Sequence, residues 1–418
     1  MMSRLLFVLA FATRCHASEA QAPSKGELVI TEPDFLRHVL EQSPRSKGIQ
    51  ARVSAAAGAR RAAGLLPNPS LELRREQVRL GGDTQSDTFV EVGMALDVSG
   101  RRSLRRSAAQ AALDSIKESA RADLNALRAD ARTAFYGVLE AQERQRVMGA
   151  STRRLKVFIE SVRGRGAQAS EYDRTRLERE RAETEAEASL LERELAGLKV
   201  KIAELVAWES DPLALRLSGT LAPERPLPEL AALRDRLEAE QPVLASLRKE
   251  QDRAAAELKL ARRLWAPDLG LGLGLKSSRA AGQSGSGVVA GVGLELPVFD
   301  RGQAARDVKS AELRAAESAL EGDSRKARVA LEAADARARI SGEALASYRA
   351  AAIPQAERLE QMAGLAYLEG RLGLLELIDA YRGGTSARVK ELELALNARL
   401  DRIDLERVLG KPLEGDIP

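Results

Sequence analysis

Cysteine is nearly absent from this chain of 418 residues, and the single thiol, Cys15, stands in a segment that reads as a secretory signal. After Met-Met-Ser-Arg comes an apolar run from Leu5 to Ala12, then small residues at Ala17, Ala20 and Ala22, which predicts a signal over residues 1–22 with cleavage between Ala17 and Ala22. Cleavage there removes Cys15 and leaves no thiol for disulfides or thiolate metal ligands. A lipoprotein signal would place a small residue before Cys15, where Arg14 stands. Histidine is as scarce: His16 falls in the signal, and His38 alone builds no transition-metal site. No Ser/His/Asp or Cys/His grouping is left for nucleophilic catalysis, so neither an enzyme nor a resident metal or cofactor is expected. Aromatic residues make up 3%, too few for the bulky core of a sandwich or an ordinary globular enzyme. Beyond the signal no apolar run reaches the roughly 18 residues of a membrane helix, so any bilayer crossing must use strands. The 65 Lys and Arg are interleaved with 61 Asp and Glu instead of gathering into a stripe, which excludes a nucleic-acid partner.

What the chain does have is Ala, Leu, Arg and Glu, the composition of long helices and coiled coils. It also states one pattern twice. Leu66-Pro67-Asn68-Pro69 is echoed by Ala266-Pro267-Asp268-Leu269, and Val92-Gly93-Met94-Ala95-Leu96 by Val292-Gly293-Leu294-Glu295-Leu296; both echoes stand 200 positions on (267 − 67 and 292 − 92), which predicts a tandem duplication. Each repeat opens with a helical segment of about 30 residues, Asp34 to Leu65 and Glu229 to Trp265, stopped by a proline. Two alternating segments follow. Val90, Val92, Met94, Leu96 and Val98 alternate with small or acidic residues, as do Leu269, Leu271, Leu273 and Leu275 and then Val292, Leu294, Leu296 and Val298. Period two with one greasy and one wet face predicts strand hairpins over 69–98 and 268–298, long enough to cross a bilayer on a tilt.

After each hairpin comes a rod. Arg101 to Arg163 holds no proline, and a turn at Gly164 and Gly166 leads to a return helix from about Ser170 to Trp208. The second repeat runs likewise from Gly302 to Glu369, with Pro354 predicting a kink, a turn at Gly370 to Gly373, and a return helix to Leu409. The domain plan is therefore repeat one over 23–210, a proline-rich linker over 211–228, repeat two over 229–410 and a tail over 411–418. Four strands cannot close a barrel and open edges are not tolerated in lipid, so several chains must share one wall. Three copies give twelve strands, and Ala-rich seams such as Ser107-Ala108-Ala109-Gln110-Ala111-Ala112 let the helices pack closely beneath them.

Leu-Pro-Asn-Pro at 66–69, Trp-Ala-Pro-Asp-Leu at 265–269, Leu-Pro-Val-Phe-Asp-Arg-Gly at 296–302 and Glu-Gly-Arg-Leu-Gly-Leu-Leu-Glu-Leu-Ile-Asp-Ala-Tyr-Arg at 369–382 resemble the TolC family of outer-membrane efflux proteins. Through Leu-Leu-Pro-Asn-Pro at 65–69 the sequence is most similar to the cobalt-zinc-cadmium-type, heavy-metal branch. The resemblance implies a mainly α fold, with long antiparallel helical hairpins and four transmembrane β-strands per chain. It also implies a homotrimer in the outer membrane of a Gram-negative bacterium, its helical part in the periplasm, docked on a periplasmic adaptor and an inner-membrane resistance-nodulation-division pump. Such a protein is a passive exit duct, here for heavy-metal cations that are conducted rather than coordinated.

Glu376 and Asp379, after the second turn, resemble the acidic ring of the family's periplasmic constriction, and their spacing of three puts both carboxylates on one helical face. Glu171 and Asp173 hold the corresponding place in the first repeat, with Arg174 and Arg176 at hand to tether the tip by ion pairs. Gly164, Gly166, Gly370 and Gly373 suit both the turns and close contact with an adaptor. Gly270, Gly272 and Gly274 lack the Lys-Ser/Thr and helix start of a phosphate loop and are expected to face a barrel lumen. The Glu/Arg run from Arg174 to Glu194 reads as a solvated helix face. The rival reading is a periplasmic coiled-coil scaffold or adaptor without a membrane span, which accounts for the rods but gives the Leu/Gly hairpins nothing to do.

Overall fold

The computed structural model describes residues 28–81, 83–164, 171–206, 211–223, 225–280 and 282–413; the segment expected as a signal, with Cys15, Gly166 in the expected first turn and the last residues of the tail lie outside them. In chain order the elements are β1 (Leu28–Thr31), α1 (Glu32–Gln42), α2 (Pro44–Ala63), β2 (Ser70–Leu80), β3 (Asp83–Leu96), α3 (Arg101–Gly164), α4 (Glu171–Val206), β4 (Leu215–Ser218), α5 (Leu230–Glu240), α6 (Pro242–Ala261), β5 (Leu269–Ala280), β6 (Gln283–Leu294), α7 (Gln303–Leu368) and α8 (Leu374–Leu409). The order helix, helix, strand, strand, long helix, shorter helix thus occurs twice. Partner helices have 11 and 11, 20 and 20, 64 and 66, and 36 and 36 residues.

The opening helix of each half is broken where the sequence predicted a continuous one. Ser43 (ψ 141°) and Gln241 (ψ 117°) both precede a proline, whose ring pushes the residue before it out of the helical region. Each breaker then caps the next helix: Ser43 Oγ accepts from the Ser46 N–H at 3.1 Å, and Gln241 Oε1 from the Leu244 N–H at 2.6 Å. The long helices are rods of about 100 Å at about 1.5 Å per residue, and α7 continues through Pro354 as one helix.

Their ends are shaped by short polar devices. Asp97, directly after β3, accepts hydrogen bonds from the N–H groups of Ser99 and Arg101, both at 3.2 Å, and of Arg102, as well as from the Ser99 hydroxyl at 2.8 Å. Burial opposes ionisation of this carboxyl, but those donors outweigh it and hold its pKa below the ordinary value. At the far end α7 stops in a Schellman turn. Gly370 takes φ +71°, the Arg371 N–H reaches the Ala366 carbonyl at 2.8 Å, and the Gly370 N–H reaches Tyr367 at 3.1 Å.

The segment expected as a linker is docked on the rods. Leu215 and Leu217 alternate inward, and β4 pairs in parallel with β1, from Leu28↔Leu215 to Thr31↔Ser218. Gln142 of α3 binds both backbone groups of Leu217, at 2.9 and 3.0 Å. Arginines then strap the following stretch onto the rods. Arg399 donates to the Leu221 and Ala222 carbonyls at 3.0 and 2.6 Å and stacks on the Tyr136 ring at 4.6 Å, Arg402 donates to Arg225 at 2.6 Å, and Arg339 donates to Pro228 at 2.5 Å.

Apolar cores are strung along the rods. The largest gathers Phe35, Leu36, Val39, Phe135, Val206, Leu217 and Ile403 around β1 and β4. A second, at the tip, takes residues from all four long helices, among them Leu155, Leu177, Tyr367 and Leu377. A third packs α5 on α7 and α8 through Leu233, Leu331 and Leu405. Beside the largest core lies a buried charge network. Arg132, 2% exposed, donates to Glu32 at 2.5 Å and to Glu406, while the Tyr136 hydroxyl donates to Glu32 at 2.5 Å. Burial, reinforced by the Glu32 charge, pushes the Tyr136 pKa up, and the two carboxylates hold Arg132 charged against the cost of its own burial.

Candidate functional site: the sheet and the helical tip

The two hairpins form one antiparallel sheet in the order β2-β3-β5-β6, in which β3 and β5 make the seam and β2 and β6 each keep an unpaired edge among the described residues. The register sorts side chains onto two faces. One face carries four apolar rows: Leu96–Leu269–Leu294, Met94–Leu271–Val292, Leu71–Val92–Leu273–Ala290 and Leu73–Val90–Leu275–Val288. These rows span about 20 Å along the strands. They lie open on the single chain, with Leu73 72%, Leu273 63% and Val292 73% exposed. A continuous apolar face of that extent demands an apolar neighbour. Below it, Trp265 and Phe299 flank the ends of β5 and β6 and are exposed as well.

The other face is wet. Gly270, Gly272 and Gly274 lie on it with Glu72, Arg74, Glu76, Asp87, Glu91 and Lys276. Glu72 and Glu91 face each other across the β2–β3 pair, and Lys276 binds Asp87 at 2.8 Å while lying over the Phe89 ring at 5.0 Å. Two of the glycines make room for the acid. A Cβ at Gly272 would run into the Glu91 carboxylate, and one at Gly274 would meet the Val90 carbonyl oxygen at 2.5 Å. The arrangement is a strip of carboxylates beside glycines that offer no side chain, backed by the apolar face of the sheet.

At the opposite end of the rods, Glu376 and Asp379 are exposed in the first turns of α8 and line one shallow apolar groove of about 650 Å³ with Leu359, Met362 and Leu375. The spacing of three does bring both carboxylates to one face. Glu376 folds back over Gly373, the N-cap of its helix, where a Cβ would meet Glu376 Oε2 at 2.6 Å. A carboxylate there complements the positive end of the helix dipole. Gly370 provides the left-handed turn described above, Gly164 is the last residue of α3, and Glu171 and Asp173 occupy the first turn of α4. Arg176 donates to the Tyr172 hydroxyl at 3.2 Å instead of reaching an acid across the tip.

The ion pairs that do join the helices were missed in the sequence. Glu360 of α7 is buried and accepts from Arg388 of α8 at 2.8 and 2.9 Å and from Arg154 of α3 at 3.4 Å, and Gly384 on α8 leaves the space it occupies. Glu180 of α4, 8% exposed, accepts from Arg382 of α8 at 2.5 Å, with Glu183 adding a contact at 3.3 Å. The hydrogen bonds from Arg382 and Arg388 to these carboxylates raise both guanidinium pKa values. Tyr381 packs its ring on Phe158 at 4.9 Å beside them, and burial followed by the Glu360 charge raises its pKa. The run from Arg174 to Glu194 is therefore not wholly a solvated face, since Leu177, Glu180, Thr184 and Leu191 are buried in it. Arg382 closes one of the motifs quoted above, the one local signal that could have pointed here.

Long helical hairpins that carry a short sheet with one bare apolar face are also the fold of solved outer-membrane channels, as the comparisons show. Residues 233–411 match the family described as outer membrane efflux protein. Over 367 residues the chain is 28% identical to the cobalt-zinc-cadmium resistance protein CzcC of Cupriavidus metallidurans, covering 83% of this chain and 82% of that one. The fold is shared with the open state of the MtrE outer membrane channel of Neisseria gonorrhoeae (TM-score 0.74, 18% identity, 93% of this chain and 90% of that chain). CusC gives a TM-score of 0.73 at 17% identity over 94% and 96% of the two chains, and VceC of Vibrio cholerae 0.69 at 16% over 92% and 97%. The family match thus covers the second half of the chain, and the likeness to CzcC and to the solved channels extends over most of its length.

Proposed function

We propose that this chain is one protomer of a trimeric outer-membrane exit duct for heavy-metal cations, fed by a periplasmic adaptor and an inner-membrane resistance-nodulation-division pump. The observation that carries the reading is the sheet: four apolar rows exposed on a lone chain, bounded by the free edges of β2 and β6. Lipid rejects an open edge, so β6 of one copy pairs with β2 of the next and three copies make a twelve-stranded barrel. The leucine rows then meet lipid, and the carboxylate and glycine face lines the passage, where fixed negative charge raises the local concentration of cations.

The cargo reading leans on the resistance described for CzcC and on the acidic lining. The duct is passive, and direction comes from the pump. Because the element order recurs, we read the chain as a tandem duplication, repeat one over 23–210 and repeat two over 229–410, joined by the docked 211–228 segment. At the periplasmic tip Glu376 and Asp379, with Glu171 and Asp173, form the constriction, and the turns at Gly164, Gly370 and Gly373 meet the adaptor. Opening that tip requires the Arg382–Glu180 and Arg388–Glu360–Arg154 links to part, since they tie α8 to α4 and α7, and α7 to α3.

Two measurements test the reading. Deletion of the gene is expected to lower survival on zinc, cobalt or cadmium and complementation to restore it; unchanged tolerance to all three removes the cargo assignment. Mass measurement in detergent is expected to give three copies, and a stable monomer overturns the shared barrel.

A further inference from the structure

The four strands confine their acids to one face. All five carboxylates, Glu72, Glu76, Asp83, Asp87 and Glu91, lie on the glycine face, with Arg74 and Lys276 among them. The apolar face carries three cations and no acid: Arg75, Arg79 and Arg279. Their height is as ordered as their sign. Directly beyond the last apolar row, Leu73–Val90–Leu275–Val288, come the rows Arg75–Thr88–Ser277–Ser286 and Gln77–Ser86–Arg279–Ser284, and then Arg79–Thr84. All three arginines are exposed, and no ion pair engages any of them among the described residues.

A cation on the lipid side of a barrel is costly at the bilayer midplane and nearly free at the interface, so this band marks the level where hydrocarbon ends. The hairpins end there too. Leu80 pairs with Asp83 and Ala280 with Gln283, so the turns are tight and no long loop rises past the band to screen it. With strands about 4.8 Å apart and residues rising about 3.3 Å, Arg279 stands about 12 Å from each of Arg75 and Arg79. Three long, planar donors around a patch of hydroxyls match the phosphate groups of one large headgroup, which guanidinium binds in a bidentate manner.

We propose that Arg75, Arg79 and Arg279, with the hydroxyls of Ser86, Thr88 and Ser277, dock the phosphate-bearing headgroups of lipids in the leaflet at the turn end of the sheet. The inference rests on the membrane-spanning reading of the sheet given above. Lipid is the occupant because the band continues the apolar face without a break, so a headgroup whose acyl chains lie on the leucine rows reaches it directly, and its negative charge complements a face that holds only cations.

The test uses the full chain purified in detergent, reconstituted into phosphatidylcholine vesicles, and assayed for retained lipid A by native mass spectrometry. The triple variant R75Q/R79Q/R279Q is expected to retain at least about tenfold less lipid A than the wild type, since each cation contributes to the attraction. The triple lysine variant is expected to keep most of the retention, Arg74→Gln on the opposite face is expected to keep all of it, and dephosphorylated lipid A is expected to bind no better to the wild type than to the glutamine variant. Wild-type retention by the glutamine variant, equal loss in Arg74→Gln, or displacement of lipid A by inorganic phosphate at matched concentration overturns the proposal, the last by making the band a site for free anions. Incorporation into plain phosphatidylcholine vesicles separates the two levels of the argument. A chain that enters them but shows no preference for lipid A defeats this inference alone, whereas a chain that stays in water without detergent defeats the membrane-spanning reading and this inference with it.

Discussion

The two hairpins of the sheet share a register and a face, yet they divide the work. The first, β2–β3, carries eight of the ten charged residues in the four strands: Glu72, Arg74, Arg75, Glu76, Arg79, Asp83, Asp87 and Glu91. The second, β5–β6, carries Lys276 and Arg279 and is otherwise mostly glycine, serine and aliphatic residues. One hairpin brings the charge and the other brings the room for it, because Gly272 leaves the space into which Glu91 leans. Two halves with the same order of elements therefore carry complementary side chains. The helical parts differ in the same way: Asp97 caps its rod with several donors, while in the second half Asp300 accepts from the Gly302 N–H at 2.8 Å.

The contrast can be broken most severely where the halves are fastened together. Arg132→Met leaves Glu32 from the first half without its cation and leaves Glu406 from the second, which is buried, with only the longer contact to Arg402 at 3.7 Å; it is expected to destabilise the helical part by about 3–5 kcal/mol, read from denaturant unfolding followed by far-UV circular dichroism. Next comes the seam of the sheet. Gly274→Ala drives a Cβ against backbone of β3 and is expected to cost about 1–3 kcal/mol, whereas Gly293→Ala, with open space around it, is expected to be neutral; equal effects would show that the second hairpin is not shaped by the first. Asp97→Ala is expected to cost about 1–2 kcal/mol and Asp300→Ala less. Because the folded pKa of Asp97 is depressed, its advantage is present above the ordinary carboxylate pKa and is lost as pH falls through the lowered value, so the wild type and Asp97→Ala should converge in acid.

The smallest effect has the opposite sign. Burial raises the pKa of Glu140 on α3, outweighing the attraction of Arg144, so its penalty on folding grows as pH rises through the ordinary value toward the raised one. Glu140→Gln should stabilise by less than about 0.5 kcal/mol at neutral pH and by nothing in strong acid. A stabilisation that persists in acid would remove the carboxylate from the explanation.

The features legible in the sequence were those with a local period. Alternation over Leu269–Leu275 and the proline-free stretch after Arg101 are each determined by a few neighbouring residues, and both appear in the structure as a strand and a rod. The proline breaks at Pro44 and Pro242 were equally local, and the helical pattern on either side hid them. What could not be read is pairing between elements far apart in the chain. Nothing near Glu180 marks it as the partner of Arg382, and within the run Arg174 to Glu194 its buried neighbours Leu177, Thr184 and Leu191 are outnumbered by charges that do face solvent. The seam between β3 and β5, and the four-residue strands β1 and β4, escape for the same reason: each is too short, or its partner too remote, for a pattern along the sequence to reveal it.

The pairing of β1 with β4 also sets a timetable. The first described strand lies parallel to one that follows the whole first helical hairpin, and Phe35, Leu36 and Val39 just behind it sit in the same core as Leu215 and Leu217. During synthesis β1 has no seat until Ser218 has been made and the rods between have folded back on themselves. Until then those apolar residues are exposed, so the interval between translation and docking is when this protein most needs an escort to keep it from aggregating.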